Sequence, residues 1–480
     1  MVSMGAGSVM RRGVLLACCL QPVLAVAAPG ALRAGFARQA ITPDISNPEK
    51  PVWMAGFSQN RRARSVHDDL LASAVAVSNG TTTGVIISLD AVGLMKPDVD
   101  KIRLALRGAL PIDFVVVSST HTHAGPDVIG IWGPNLFETG ADEGYIRMLV
   151  DRAVTAGRMA FQRLEPVRLL TAKVADAAAD VVEDTRPPVV TDSDAHVFRF
   201  LGKTDSRTRG TIVSWANHPE VLWDANTSLT SDFVHYLRLG LETGLKGDDG
   251  RIQRPGLGGQ AIYLSAAIGG LMTTHDSTAV RDPLSDQVIV APSFAKARAV
   301  GYRLAEAVLD AVKSGQETEA RTNLVRWSER SLNLPVANLK FLAASALGII
   351  RRPLYEDKGA SSTVGLLQLG DDWLAAVPGE LYPELANGGV EAPVGNDLGL
   401  KIPSEQPVLR KAMSGRHNVI MGLANDQIGY IVPSSQWDAR RPYTYGYTSA
   451  PYGEENSLGP QTAHLIHDAL LELFAEAQGR

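Results

Sequence analysis

One run constrains this chain more than any other: residues 113–127, Asp-Phe-Val-Val-Val-Ser-Ser-Thr-His-Thr-His-Ala-Gly-Pro-Asp. Phe114 to Val117 is apolar and rich in β-branched side chains, which predicts a short buried strand. Gly125-Pro126 stops it. His121 and His123 therefore fall just past the strand's carboxyl end, two residues apart. If the extended geometry continues, both rings project from the same side. In open α/β sheets that edge is where ligands bind. Two imidazoles there suit a divalent cation, zinc above all. A pair of loop histidines held only by hydrogen bonds is the plainer alternative.

Around this strand the pattern alternates. Residues 84–89 read as a buried strand ending at Asp90, residues 98–110 carry apolar side chains at helical spacing, and a long helix is expected at 142–164. Strand signals return at 167–174, 195–201, 211–216 and 261–264, and helical ones at 231–245 and 291–312. Residues 325–334 alternate imperfectly, as an edge strand does. Residues 363–369 and 373–377 read as a hairpin turning at Gly370-Asp371-Asp372, followed by a strand at 419–423 and a closing helix at 462–475. This rhythm predicts an α/β fold, with mixed β-sheets flanked by helices and the zinc site at the carboxyl ends of strands. Residues 246–259 read as a surface loop, and the polar stretch up to Glu319 as a joint between subdomains. No solenoid-type repeat is visible.

Composition narrows the function classes. Hydrophobic residues make up 45% of the chain, enough for a large core, and the net charge of -5 with no basic run argues against nucleic acid as a partner. Residues 1–28 read as a signal peptide: Arg11-Arg12, an apolar stretch too short to span a membrane, and Ala25-Val26-Ala27 as a cleavage site. Export to the periplasm or the medium is the expectation, with 29–480 as one catalytic domain. Cys18 and Cys19 both lie in the leader, so the mature chain has neither disulfides nor thiolate ligands. Oligomeric state and peripheral membrane contact are left open by the sequence.

Other strand ends repeat the theme. The strand at 211–216 runs into Asn217-His218-Pro219, and the hairpin's second strand into Pro378-Gly379-Glu380. Ser265 to Gly270 is a glycine-bearing turn that matches neither a dinucleotide fingerprint nor a P-loop. Residues 441–452 hold Tyr443, Tyr445, Tyr447 and Tyr452.

Taken in order, Val66-His67-Asp68, Ser119-Thr120-His121-Thr122-His123-Ala124-Gly125-Pro126, Asn217-His218-Pro219, Val377-Pro378-Gly379-Glu380 and Gly422-Leu423-Ala424-Asn425 through Gly429-Tyr430 resemble the amino-terminal catalytic domain of the neutral/alkaline non-lysosomal ceramidases. The resemblance implies a catalytic zinc held by His121, His218, Glu380 and Tyr430, with zinc-bound water attacking an N-acyl amide such as ceramide. It implies a small-molecule or lipid substrate. It also gives His123 a substrate-contacting or proton-transferring role, places Arg186 against a substrate oxygen, and puts Tyr443, or another tyrosine of its loop, near the tetrahedral intermediate. Asp90 and Asp232 become candidates for supporting roles. Two departures stand out: the family's site serine falls on Met272, and the carboxy-terminal β-domain of the longer ceramidases has no counterpart here. A zinc hydrolase of another amide or ester, and a binding protein that keeps the metal as a scaffold, are the competing expectations.

Overall fold

The computed structural model describes residues 1–2, 30–390 and 397–479; apart from its first two residues, the expected leader with both cysteines lies outside the described residues. The chain runs through one arrangement three times. In the first unit, β1 (Arg33–Ala40), β2 (Leu71–Ser78) and β3 (Thr83–Leu89) form an antiparallel meander; α1 (Lys96–Ala109) then crosses to β4 (Phe114–Ser119), parallel to β3, and α2 (Glu143–Gln162) follows. The second unit repeats this with β5 (Glu165–Val174), β6 (Ala195–Gly202), β7 (Thr208–Trp215), α3 (Phe233–Glu242), β8 (Gln260–Ser265) and α4 (Phe294–Lys313). In the third, β9 (Val325–Leu334), β10 (Ala360–Leu369) and β11 (Asp372–Ala376) are the meander, β12 (Asn418–Met421) the parallel strand, and α5 (Thr462–Ala477) the closing helix.

The first two units share a sheet in the order β8-β7-β6-β5-β1-β2-β3-β4, sewn together by the short β1–β5 pairing of Arg33 with Pro166 and Ala34 with Glu165. The third forms its own sheet, β9-β10-β11-β12. The expected joint near Glu319 is the passage from the second unit to the third, and Thr318–Glu319 itself pairs with β5. The expected surface loop at 246–259 contains a small hairpin, Gly244–Lys246 against Ile252–Pro255.

Burial explains the sequence pattern. One face of each sheet packs on that unit's helices: Val85 and Ile87 meet α1 and α2, Val213 and Trp215 meet α3 and α4, and Leu366 and Ala375 meet α5. The opposite faces share a fourth core, where Ile86, Phe114, Ile212, Ile262, Leu367 and Leu374 come together. Strands covered on both faces read as continuous apolar runs, not as alternating ones. Local chemistry sets the helix starts. Asp142 accepts from Tyr145 N to cap α2, Ser293 accepts from Lys296 N to cap α4, and Pro97 sits in the first turn of α1.

The fourth strands of the three units converge. Asn425 N donates to Val117 O at 2.6 Å, Gly422 N to Ser265 O at 2.8 Å, and Ser265 Oγ to Thr120 O at 2.9 Å. Ser88 Oγ donates to Tyr263 O at 2.6 Å. These bonds bring the carboxyl ends of strands from all three units to one place.

Candidate metal centre

Each unit sends a side chain to that meeting point. His121 follows β4, His218 follows β7 and Glu380 follows β11. Their arrival depends on turns. His121 has φ 71, in the left-handed region that non-glycine residues seldom occupy, so the extended geometry expected across 119–123 is broken. The His121 and His123 rings nevertheless lie 4.8 Å apart, brought together by this turn and not by strand alternation.

The second nitrogen of each ring is committed. His121 Nδ1 lies 2.5 Å from Val92 O, and His218 Nδ1 lies 2.7 Å from Met272 O. A carbonyl only accepts, so each Nδ1 carries a proton, and in the neutral form of each ring Nε2 presents a lone pair. Both Nε2 atoms face Glu380 Oε2, at 3.5 Å from His121 and 3.4 Å from His218. His218 Nε2 and Glu380 Oε2 are buried and have no hydrogen-bond partner among the described residues. Acceptors turned on one another and lacking a donor are the situation a divalent cation resolves. The spacing agrees: two donors bound at about 2.1 Å to one tetrahedral ion stand about 3.4 Å apart. His123 completes a buried group of three imidazoles whose ligand atoms lie within 4.8 Å of one another. Glu380 Oε1 accepts from Gln427 Nε2 at 3.0 Å, which orients the carboxylate.

Tyr430 is delivered by a parallel bridge in which Glu380 pairs with Tyr430 and Leu381 with Ile431. Burial and the Glu380 carboxylate hold its phenol well above the usual tyrosine range. Glu220, which the sequence reading passed over, places Oε2 2.8 Å from His123 Nδ1. Burial works to raise its carboxyl, but the neighbouring imidazole prevails and holds it down at about 2. Burial depresses His123 to about 4, so at neutral pH the pair is a carboxylate beside a neutral ring. The signal in the sequence was its position directly after His218-Pro219.

A pocket opens over the cluster, with an empty volume of about 700 Å³ counted out to bulk solvent. His121, His123, Glu380, Tyr430 and Tyr452 line one part of it, and Ile129, Ile131, Trp132, Phe341, Ile350 and Leu354 line another.

Not every expected residue reaches this pocket. Arg186 is buried elsewhere, paired at both terminal nitrogens with Glu454 (2.7 and 2.8 Å) and donating to Tyr382 Oη at 2.7 Å. Tyr443 lies in the loop beneath Arg441 and is absent from the pocket lining. The tyrosine of that loop which does line the pocket is Tyr452, edge-on to Tyr430 at 5.7 Å. Met272, at the position of the family's serine, buries its side chain in the second unit's core and offers the site only its carbonyl oxygen. Asp232 caps α3, and Asp90 is locked to Arg238 at 2.7 Å. His67 meets Tyr236 Oη at 2.9 Å, away from the cluster.

No family model matches this chain, and no curated protein matches it in sequence. Solved structures do. The neutral ceramidase from Pseudomonas aeruginosa superposes with a TM-score of 0.68 at 16% identity, covering 94% of this chain and 75% of that one. The chain has the neutral ceramidase fold. A second ceramidase structure, a complex with C2, gives 0.68 at 15% identity over 94% of this chain and 76% of its own. The neutral ceramidase fold thus accounts for nearly the whole described chain. Identities this low speak to the fold and leave the chemistry to the side chains.

Proposed function

We propose that this protein is an exported zinc-dependent hydrolase that cleaves an N-acyl amide bond of a lipid, ceramide or a close relative. The observation that carries this reading is the convergence of unpartnered Nε2 and carboxylate lone pairs at one point beside an apolar pocket. His121, His218, Glu380 and Tyr430 are the assigned ligands. A zinc ion held by them would polarise an amide carbonyl and make water nucleophilic near neutral pH.

The chain's own residues supply the rest. Ile129, Ile131, Phe341, Ile350 and Leu354 offer an acyl chain a dry wall. His123, neutral and within the pocket lining, is placed to receive a proton from the attacking water and return it to the departing amine nitrogen. Tyr452 stands where a hydroxyl could hydrogen-bond the developing oxyanion, in the role the resemblance gave to Tyr443 or another tyrosine of its loop. Met272 supplies no hydroxyl, which supports attack by water without an acyl-enzyme. Export follows from the leader, and no helix among the described residues is long and apolar enough to cross a membrane.

Hydrolysis of a fluorogenic N-acyl sphingosine, with chelator and with zinc restored, tests this reading. Chelator-sensitive turnover supports it. Turnover of other amides or esters alone moves the assignment to a different acyl substrate. Bound zinc without turnover across a broad acyl panel leaves a binding protein. His121→Ala and His218→Ala should each remove both zinc and activity; full zinc in either variant would refute the ligand assignment.

A further inference from the structure

Three imidazoles lie close enough to share one ion, yet they are held in two different ways. His121 and His218 turn Nδ1 to backbone carbonyls. His123 turns Nδ1 to a carboxylate, Glu220 Oε2, 2.8 Å away. Both side chains of this pair are nearly sealed from solvent, at 10% and 11% exposure.

The rest of the environment fixes the same ring. Gly56 passes so close that a Cβ there would fall 2.4 Å from His123 Cγ. Phe57 stands edge-on at 5.2 Å. His123 N donates to Pro219 O at 3.0 Å, and Arg61 Nη2 donates to the His123 carbonyl. Glu220 N in turn donates to His218 O at 2.9 Å. The His218-Pro219-Glu220 segment therefore carries a ligand on one residue, a backbone anchor for His123 on the next, and a side-chain anchor on the third.

We infer that Glu220 is a positioning residue that holds His123 out of the metal's coordination shell. The inference rests on the zinc-hydrolase reading above and deepens it. A catalytic zinc needs an open position, and a third imidazole free to swing inward would fill it. Held by the 2.8 Å contact between Nδ1 and the Glu220 carboxylate, His123 keeps Nε2 available to the substrate. Hydrolysis then balances simply: the water oxygen bonds to the acyl carbon, the C–N bond breaks, and the proton carried by His123 ends on the amine nitrogen. The carboxylate steadies the ring while it holds that proton.

The test counts imidazoles around zinc by X-ray absorption in the full-length protein, beside steady-state kinetics. The wild type should show two imidazoles. Glu220→Ala should show three, with kcat lower by about 10- to 100-fold and KM within twofold. Glu220→Gln, whose amide oxygen can still accept from Nδ1, should keep two imidazoles and recover most of kcat. The double variant Glu220→Ala/His123→Ala should return to two imidazoles without recovering kcat. A wild type with three imidazoles, a Glu220→Ala protein unchanged in both count and kcat, or a third imidazole in Glu220→Gln would each overturn the inference while leaving the hydrolase standing. A wild type that takes up no zinc overturns both.

Discussion

Glu384 offers a measurement whose size can be worked out beforehand. It lies in the short helix Pro383–Asn387, just after Glu380 and Tyr382. Its side chain is buried; Oε1 accepts from Gln436 Nε2 at 3.2 Å, while Oε2 and Gln436 Oε1 have no partner among the described residues. Burial, with the nearby Asp184 carboxylate, pushes its carboxyl up from 4.5 to about 7. Arg186, whose charge works to lower it, is committed to Glu454. Below pH 4.5 the group is protonated folded or unfolded and costs nothing. As pH rises from 4.5 to 7, only the unfolded chain releases the proton, so stability falls, and above 7 the loss is complete. The interval corresponds to about 3 kcal/mol. For a chain of this length the melting entropy is on the order of 1 kcal/mol per kelvin, so the loss is about 3 °C in Tm. Glu384→Gln is neutral at every pH, and its amide can donate to Gln436 Oε1. It should melt with the wild type at pH 4.5 and about 3 °C higher at pH 8. Scanning calorimetry across that range decides the matter. Parallel wild-type and variant curves would show that Glu384 is ionised in the folded protein at neutral pH, contrary to this reasoning.

Three further outcomes follow from the geometry. Met272→Ser should cost about 2–4 kcal/mol by denaturant titration, because the side chain fills the second unit's core, and should bring no gain in turnover. Gly56→Ala, at φ 108 with His123 in the way, should lower kcat at least tenfold while metal analysis still finds zinc; unaltered kinetics would show that His123 tolerates displacement. Arg186→Ala should destabilise by about 3–5 kcal/mol by abandoning the buried Glu454, whatever it does to catalysis, and a variant of native stability would mean this pair carries no weight.

The parts legible in the sequence were those set by local pattern. The β-branched run ending in His-x-His lies on β4, and the imperfect alternation at 325–334 is the edge strand β9. Histidines and a glutamate at strand ends pointed to residues that share one point in space because strand polarity is written locally. What escaped depends on distant pairing. Nothing near Glu220 in the chain says that its partner is His123, and nothing in the aromatic loop says that Tyr452 faces the pocket while Tyr443 does not. The threefold topology was hidden because equivalent positions need only fit their own neighbours. Ser88 and Ser214 donate across unit boundaries from the next-to-last residues of β3 and β7, whereas β11 has Ala375 at that place.

With His121 drawn from the first module, His218 from the second and Glu380 with Tyr430 from the third, an ion held as proposed would be bolted to all three at once. No single module could retain it, and none could drift without straining its grip on the other two. Stripping the proposed metal should therefore slacken the molecule along every seam together, and the cofactor of the chemistry would double as the fastener of the architecture.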